Sequence, residues 1–554
     1  MKPGLRAGDG VWRVGLPAAL ALAVLIAWPL AAVLWRGVAP DGAPSWEAVL
    51  AVAGDRFYWE RLGFTTAQAL VSTVLALAVG LPGAALFALV RFPGRGLALA
   101  LVTVPFVLPT LVVAVAFLQL AGPQGWLSDG LALVGLPRLD PRGTLWAILA
   151  AHVFFNVAIV VRLVSGVWAN LDPRPEEAAR LLGAGSLAVV RHVTLPALGP
   201  AVAAAAALVF LFTFTSFGVV LVLGGPGLDT LEVTIFRLAV RLVELPEAAI
   251  LSLLQIGATL GALGAYAWLQ RRIAAHRTQR PDRALPLAAL SWRARSLAAG
   301  GGLLLALYLG APLAALAWGS LSVGVDGPSL VHFERLFAET GRVSFIAPGD
   351  AVRWSLSFAA AATALAVVLG VTAAAAVART PGRRGVLLDA LLMLPLAVPA
   401  VVLGFGYLTT FDRGWYDLRG SAWLVLFAHT LVAYPFVLRA TLAVRRSLDP
   451  RLREAARLLG AGPARAWRYV ELPLMARGVL AGSVFAFAIS LGEFGATSVL
   501  RRREFATLPI AVFDALGRPG GLGRALALST ILMLVTAASA LLISRLRYRE
   551  IGEF

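Results

Sequence analysis

Long apolar runs that are nearly free of charge alternate with short polar segments along all 554 residues. The runs lie at 14–34, 64–90, 97–120, 143–167, 198–224 and 247–269, and again at 296–322, 352–378, 386–410, 421–444, 478–500 and 522–544. Each is long enough to cross ~30 Å of hydrocarbon as a helix, which takes about 20 residues. The alternating strands of about ten residues that build an outer-membrane barrel are not the pattern seen. The hydropathy therefore predicts an all-α membrane protein of about twelve transmembrane helices. The first run follows Lys2, Arg6 and Arg13, as the core of a signal peptide does. It is about 21 residues long against the usual 7–15, and no clean A-x-A site follows, so it is expected to be a retained first helix.

The chain also repeats itself. Residues 171–174 and 448–451 both read LDPR, and 177–185 and 454–462 both read EAARLLGAG, an offset of 277 (454 − 177). The same offset maps His152 onto His429, Arg162 onto Arg439, Leu195-Pro196 onto Leu472-Pro473, Phe217-Gly218 onto Phe494-Gly495 and Thr230-Leu231 onto Thr507-Leu508. Six runs per half is an even number, so both halves enter the membrane in the same sense, as a parallel repeat about an axis along the membrane normal. The expected organisation is a first half at 1–270, a basic linker at 271–295 and a second half at 296–554.

Composition agrees with the pattern. The chain is 59% hydrophobic and 14% charged, with mean hydropathy +0.82, against roughly 45–50% and about 25% in soluble domains. The net charge of +18 would suggest nucleic acid in a soluble protein. Here the arginines collect between runs: Arg91 and Arg95, Arg379, Arg383 and Arg384, seven within 271–295, and Arg545, Arg547 and Arg549. With twelve spans all of these fall on one side, which is then cytoplasmic together with both termini. Arg501, Arg502 and Arg503 are the exception, on the outer face. The absence of cysteine excludes disulfides, thiolate chemistry, iron–sulfur clusters and cysteine-zinc sites. Lys2 is the only lysine, so no GxxxxGK[ST] phosphate loop exists, and any ATP must be bound by another subunit.

The stretch best kept between the halves is a loop on the cytoplasmic side, where chains usually diverge fastest. Short helices are expected at 176–183 and 453–460, with Glu177 and Glu454 in their first turns, where negative charge suits the helix dipole. Ala178, Ala179, Leu182 and Gly183, and Ala455, Ala456, Leu459 and Gly460, give each a small, flat face. Such a helix can lie in a partner's groove and offer its carboxylate to an arginine there. An amphipathic helix resting on lipid headgroups is the alternative, but it does not explain two matching copies.

EAAxxxG followed by Leu-Pro 18–19 residues after the glutamate resembles the EAA loop of binding-protein-dependent ABC importer permeases. It is complete twice, as Glu177-Ala178-Ala179…Gly183…Leu195-Pro196 and Glu454-Ala455-Ala456…Gly460…Leu472-Pro473. The resemblance implies a coupling role for these residues toward two cytoplasmic ATPase subunits, a solute-binding protein outside, and no cofactor of its own. Gly125-Trp126-Leu127, HVFFN at 152–156, TSFGVVLVLGGPG at 215–227, SLGEFGATSVL at 490–500 and FATLPI at 505–510 resemble the fused permeases of thiamine importers. Those for ferric iron and aminoethylphosphonate are similar too. Thiamine or its phosphate esters is the substrate this resemblance implies.

Ionisable groups inside spans are expensive and are functional candidates by default. His152 and His429 fit hydrogen bonds to neighbouring helices better than a metal site, because no carboxylates or cysteines cluster with them. Glu493 lies about 15 residues into the run at 478–500, ~22 Å along the helix, and its counterpart is Ser216 (493 − 277). A gate, a helix-packing group and a substrate contact all remain open for it. Ser216, Phe217, Glu493 and Phe494 are the pathway candidates, the two phenylalanines as a constriction. Pro105 and Pro109, and Pro395 and Pro399, are expected to kink the third and ninth runs. A twelve-span secondary carrier shares the 6+6 repeat but leaves the EAA loops unexplained. An intramembrane enzyme lacks paired catalytic carboxylates, HExxH or GxSxG.

Overall fold

The computed structural model describes residues 18–39, 42–43, 45–274, 284–322, 327–338, 346–412 and 417–548. Lys2, Arg6, Arg13, Arg549 and residues 275–283 of the basic linker lie outside the described residues. Among those described, eleven helices are long and apolar enough to span a bilayer.

The first half contains α1 (Ala18–Val38), α2 (Arg56–Leu89), α3 (Arg95–Val107), α4 (Thr110–Ala121), α5 (Leu145–Trp168), α6 (Arg174–Leu181), α7 (Ser186–Phe214), α8 (Gly218–Leu223), α9 (Leu231–Phe236) and α10 (Leu245–Ala274). The second half repeats the order as α11 (Trp292–Leu321), α12 (Pro348–Arg379), α13 (Gly382–Leu392), α14 (Ala400–Thr410), α15 (Ala422–Ser447), α16 (Pro450–Leu458), α17 (Ala464–Leu491), α18 (Gly495–Leu500), α19 (Leu508–Leu516) and α20 (Leu522–Tyr548).

Four of the twelve apolar runs are broken rather than continuous. The runs at 97–120 and 386–410 divide at Pro109 and Pro399, each preceded by an extended residue, Leu108 (ψ 143°) and Val398 (ψ 116°). Proline lacks the N–H the helix needs and disfavours helical backbone in the residue before it. The run at 386–410 is thereby cut into two helices of 11 residues each. The runs at 198–224 and 478–500 end as α7 at Phe214 and α17 at Leu491, then restart at Gly218 and Gly495. Glu493 therefore sits in a helix break, not within a continuous span. Short helices restarting inside a membrane protein expose backbone N–H groups, which must be satisfied locally.

The repeat holds in three dimensions with two offsets. Gly80 in α2 lets Val160 of α5 approach so closely that a Cβ there would meet it at 2.6 Å, and Gly370 in α12 does the same for Val437 of α15 at 2.8 Å. Gly80 and Gly370 differ by 290, whereas Val160 and Val437 differ by 277. The change arises between them, since Thr110 to the start of α5 takes 35 residues and Ala400 to the start of α15 takes 22. The first helices are exchanged: α1 packs on α14 of the second half, and α11 on α4 of the first. Glycines serve both crossings, Gly406 against Pro29 and Gly319 against the Gln119 side chain. Within the linker, Leu285–Pro286 (β2) pairs in parallel with Val90–Arg91 (β1) after α2.

Candidate functional site

The loop helices form two residues earlier than expected at α6 and three earlier at α16, and each is built by the LDPR motif. Asp172 Oδ1 accepts the Arg174 N–H at 3.2 Å, and Asp449 Oδ1 accepts that of Arg451 at 2.9 Å. An aspartate cap followed by proline satisfies the orphan donors of a helix start. Because α16 starts at Pro450, Glu454 falls just past its first turn, whereas Glu177 lies within the first turn of α6. Both carboxylates are exposed, as are Ala178 and Ala455; Ala179 is half-buried and Ala456 buried. Gly183 and Gly460 end the helices at φ +86° and +80°, with nothing within 4 Å of an added Cβ. Their requirement is thus a left-handed backbone rather than room in a groove. Leu181, Leu182, Leu458 and Leu459 are 90%, 90%, 89% and 88% exposed. Two adjacent bare leucines on each copy make an apolar tip that the sequence marked only in part.

Each loop helix is tied to the start of the next span, with inverted polarity. In the first half, the Thr194 hydroxyl donates to Glu176 Oε1 at 2.8 Å. At the corresponding positions, Arg453 pairs with Glu471 at 3.4 Å, and buried Arg445 donates to the same carboxylate at 2.9 Å. A displaced loop helix therefore pulls on α7 or α17.

At the middle of the molecule the two halves meet through aromatic rings. Phe217 and Phe494 stack with centroids 5.4 Å apart at 22°. Phe236 packs on Phe217 at 5.2 Å and Phe513 on Phe494 at 5.4 Å. Phe236 and Phe513 are again 277 apart, so the four rings form a symmetric row. Phe217 and Phe494 come from the two helix breaks, Phe236 and Phe513 from α9 and α19, and Gly218 and Gly495 leave room for Thr110 of α4 and Ala400 of α14. Phe217, Phe236 and Phe494 are buried and Phe513 half-buried, so the row packs the two halves together without a charge.

Polar groups flank the row. His152 is hydrogen-bonded to Ser72 at 3.0 Å and to Ser216 at 2.8 Å. His429 is hydrogen-bonded to Ser490 at 2.8 Å and Thr497 at 2.9 Å, with Glu493 at 3.4 Å. Both histidines join adjacent helices of their own half, as expected of histidines inside spans without clustered metal ligands. Glu493 accepts the N–H of Ala496 at 2.7 Å and of Thr497 at 3.0 Å, and also the Thr497 hydroxyl. Its oxygens thus cap α18. Glu232, buried in α9, went unremarked in the sequence because Pro509 occupies its place in the repeat. Its Oε1 accepts the Val401 backbone N–H at the start of α14 at 3.3 Å, and its Oε2 accepts from the Gln255 side-chain amide at 3.5 Å. Each carboxylate satisfies a broken helix end, and Glu232 does so across the two halves.

Among the loop carboxyls, Asp417 is held down to about 2 by hydrogen bonds from Arg419. Burial pushes Asp229 up, while Arg237, Arg61 and Arg241 draw it down. Arg162 donates to the Thr103 hydroxyl at 2.7 Å, and Arg439 pairs with Asp389 at 3.1 Å.

The family model for binding-protein-dependent transport system inner membrane components matches residues 76–275 and, a second time, 366–549. The thiamine transport system permease protein ThiP of Escherichia coli (strain K12) is 29% identical over 511 residues, 91% of each chain. The molybdenum transport system permease protein ModB of Mycobacterium bovis is 38% identical over 196 residues, 33% of this chain and 74% of its own. A crystal structure of a bacterial alginate ABC transporter, in complex with alginate pentasaccharide-bound periplasmic protein, aligns over 49% of this chain and 96% of its own, at 14% identity and TM-score 0.40.

Proposed function

The chain belongs to the family of binding-protein-dependent transport system inner membrane components, and from that premise we propose that it carries thiamine or its phosphate esters. It is an ABC importer permease, a multi-pass inner-membrane subunit and not an enzyme, and its family works with an ATPase and a solute-binding protein. The thiamine reading rests on similarity to ThiP along 91% of both chains, where the ModB match spans a single half's length.

The working cycle follows from the paired elements. Two ATPase subunits on the cytoplasmic side hold α6 and α16 by their leucine tips and by Glu177 and Glu454. When ATP draws the ATPases together, the loop helices move, and the Thr194–Glu176 and Arg453–Glu471 ties pass that motion to α7 and α17. These helices lead directly into Ser216-Phe217 and Glu493-Phe494, so the motion shears the four-ring row and opens the path. Symmetry of the two halves keeps the opening central. Both termini and both coupling loops face the cytoplasm in this scheme.

The test is uptake by a deletion strain complemented with this chain. Thiamine uptake at limiting concentration should fall on deletion and return on complementation. Normal thiamine uptake with a defect in iron uptake would overturn the assignment.

A further inference from the structure

Two polar side chains of the first half reach across to the helix break at Pro399 in the second. Glu232 of α9 accepts the Val401 N–H beyond the break at 3.3 Å, and the Thr259 hydroxyl of α10 donates to the Ala397 carbonyl before it at 2.5 Å. All four residues are buried. Ala397 ends the turn that precedes the break and Val401 lies in the first turn of α14, so one backbone group is satisfied on each side. Gln255, one turn before Thr259 on α10, donates to the other Glu232 oxygen at 3.5 Å and steadies it from within the first half. The clamped segment adjoins the ring row. A Cβ on Gly495, which follows Phe494, would meet Ala400 of α14 at 2.8 Å. Phe236, which packs on Phe217, lies one turn after Glu232 on α9.

The duplication does not repeat this clamp. At the offset of 277, Glu232, Gln255 and Thr259 become Pro509, Leu532 and Thr536. The Thr536 hydroxyl donates to the Leu532 and Met533 carbonyls of its own helix. The matching break at Pro109 rests instead on Gly492, where an added Cβ would meet the proline ring at 3.0 Å. An apolar contact of that kind can slide. A buried hydrogen bond has a fixed partner, and parting it inside a membrane protein leaves both groups unsatisfied. Contacts within one half survive a rigid movement of the halves past each other. The bonds of Glu232 to Val401 and of Thr259 to Ala397 do not, so they favour only the arrangement in which the halves meet as they do here.

We propose that Glu232 and Thr259 form a latch between the two halves, which holds the arrangement with the ring row packed until the coupling helices move. The latch is a positioning device that sets how much of the transporter rests in this arrangement. It rests on the ATP-driven cycle proposed above and is independent of which solute is carried. Loss of a buried bond to a carboxylate should shift the resting equilibrium about tenfold, and loss of a neutral bond about threefold.

The assembled transporter with its ATPase, in lipid nanodiscs, carries spin labels at Leu242→Cys and Pro519→Cys. Both positions are exposed and they lie 277 apart, so they mark matching points of the two halves in a chain with no other thiol. Wild type without nucleotide should give one distance, which ATP shifts to a second. Glu232→Leu and Thr259→Val should populate the second distance without nucleotide, about tenfold and about threefold above wild type. Basal ATP hydrolysis should rise in the same order. Glu232→Gln should restore the latch to near wild type. It keeps an acceptor for Val401, and Gln255 Oε1, which lacks a hydrogen-bond partner among the described residues, accepts from its new amide. Resting distances unchanged in both Glu232→Leu and Thr259→Val, with ATP still shifting them, overturn the latch and leave the cycle standing. Should Glu232→Leu fail to assemble, Thr259→Val decides, since it removes one hydroxyl at nearly equal volume. Transport lost equally in Glu232→Gln and Glu232→Leu at unchanged resting distances makes Glu232 a charge for the cargo and overturns the latch. A second distance that the variants populate and ATP does not supports the latch and overturns the cycle.

Discussion

Truncating Leu181, Leu182, Leu458 and Leu459 to alanine tests whether the loop tips are held by a protein partner. All four side chains are about nine-tenths exposed, so the changes should alter the permease's own stability by no more than about 0.5 kcal/mol. A groove that covers them gains their transfer free energy. Each alanine removes three carbons at about 0.8 kcal/mol apiece, or about 2 kcal/mol per leucine. At tenfold per 1.4 kcal/mol, that is about thirtyfold in affinity for one leucine and about a thousandfold for the pair on one loop. The assay is binding of the purified ATPase to the permease in nanodiscs, with thermal melting of the permease alone as the control for folding. The Leu181→Ala, Leu182→Ala variant should lose most binding at its own loop, and the quadruple variant should lose the complex. ATPase affinity within twofold of wild type for the quadruple variant would refute the docking argument. Protection of introduced labels by lipid rather than by ATPase would then place the tips in the headgroups.

Further outcomes follow from the same geometry. Glu177→Ala and Glu454→Ala should each impair substrate-stimulated ATP hydrolysis in part, and together abolish it, since a desolvated interfacial charge pair is worth about 2–5 kcal/mol; normal coupling in the double variant would remove the importer reading's main mechanical support. Gly183→Ala and Gly460→Ala should strain the loop by about 1–2 kcal/mol each through their positive φ, read as earlier proteolysis at the loop without loss of the span fold. Glu471→Gln leaves buried Arg445 without its carboxylate and should lower the melting temperature by an amount equivalent to about 3–5 kcal/mol, whereas Arg445→Met with Glu471→Met should be milder; equal melting of Glu471→Gln and wild type would deny the tie. Because the chain has no cysteine, Arg180→Cys and Arg457→Cys each create a unique thiol, which a membrane-impermeant maleimide should reach only from the cytoplasmic side.

The sequence alone determined the features that local chemistry dictates. A bilayer demands apolar runs of fixed length, so the spans could be read from hydropathy. A duplication leaves identical words such as EAARLLGAG at one offset, so the two halves and the coupling loops were visible. The LDPR caps and the helix-ending glycines are local too, although the start of α16 shifted Glu454 out of the first turn. Tertiary structure decided whatever depends on residues distant in the chain. The 13-residue difference before α5 and α15 hid the second offset, and with it the matching of Gly80 to Gly370. Hydropathy cannot distinguish an apolar run that crosses as one helix from one that breaks at Phe217 or Phe494, because both are equally apolar. Glu232 carried no repeat signal, and only its contact with Val401 in the other half gives it meaning. The exchanged first helices and the four-ring row are likewise contacts between halves.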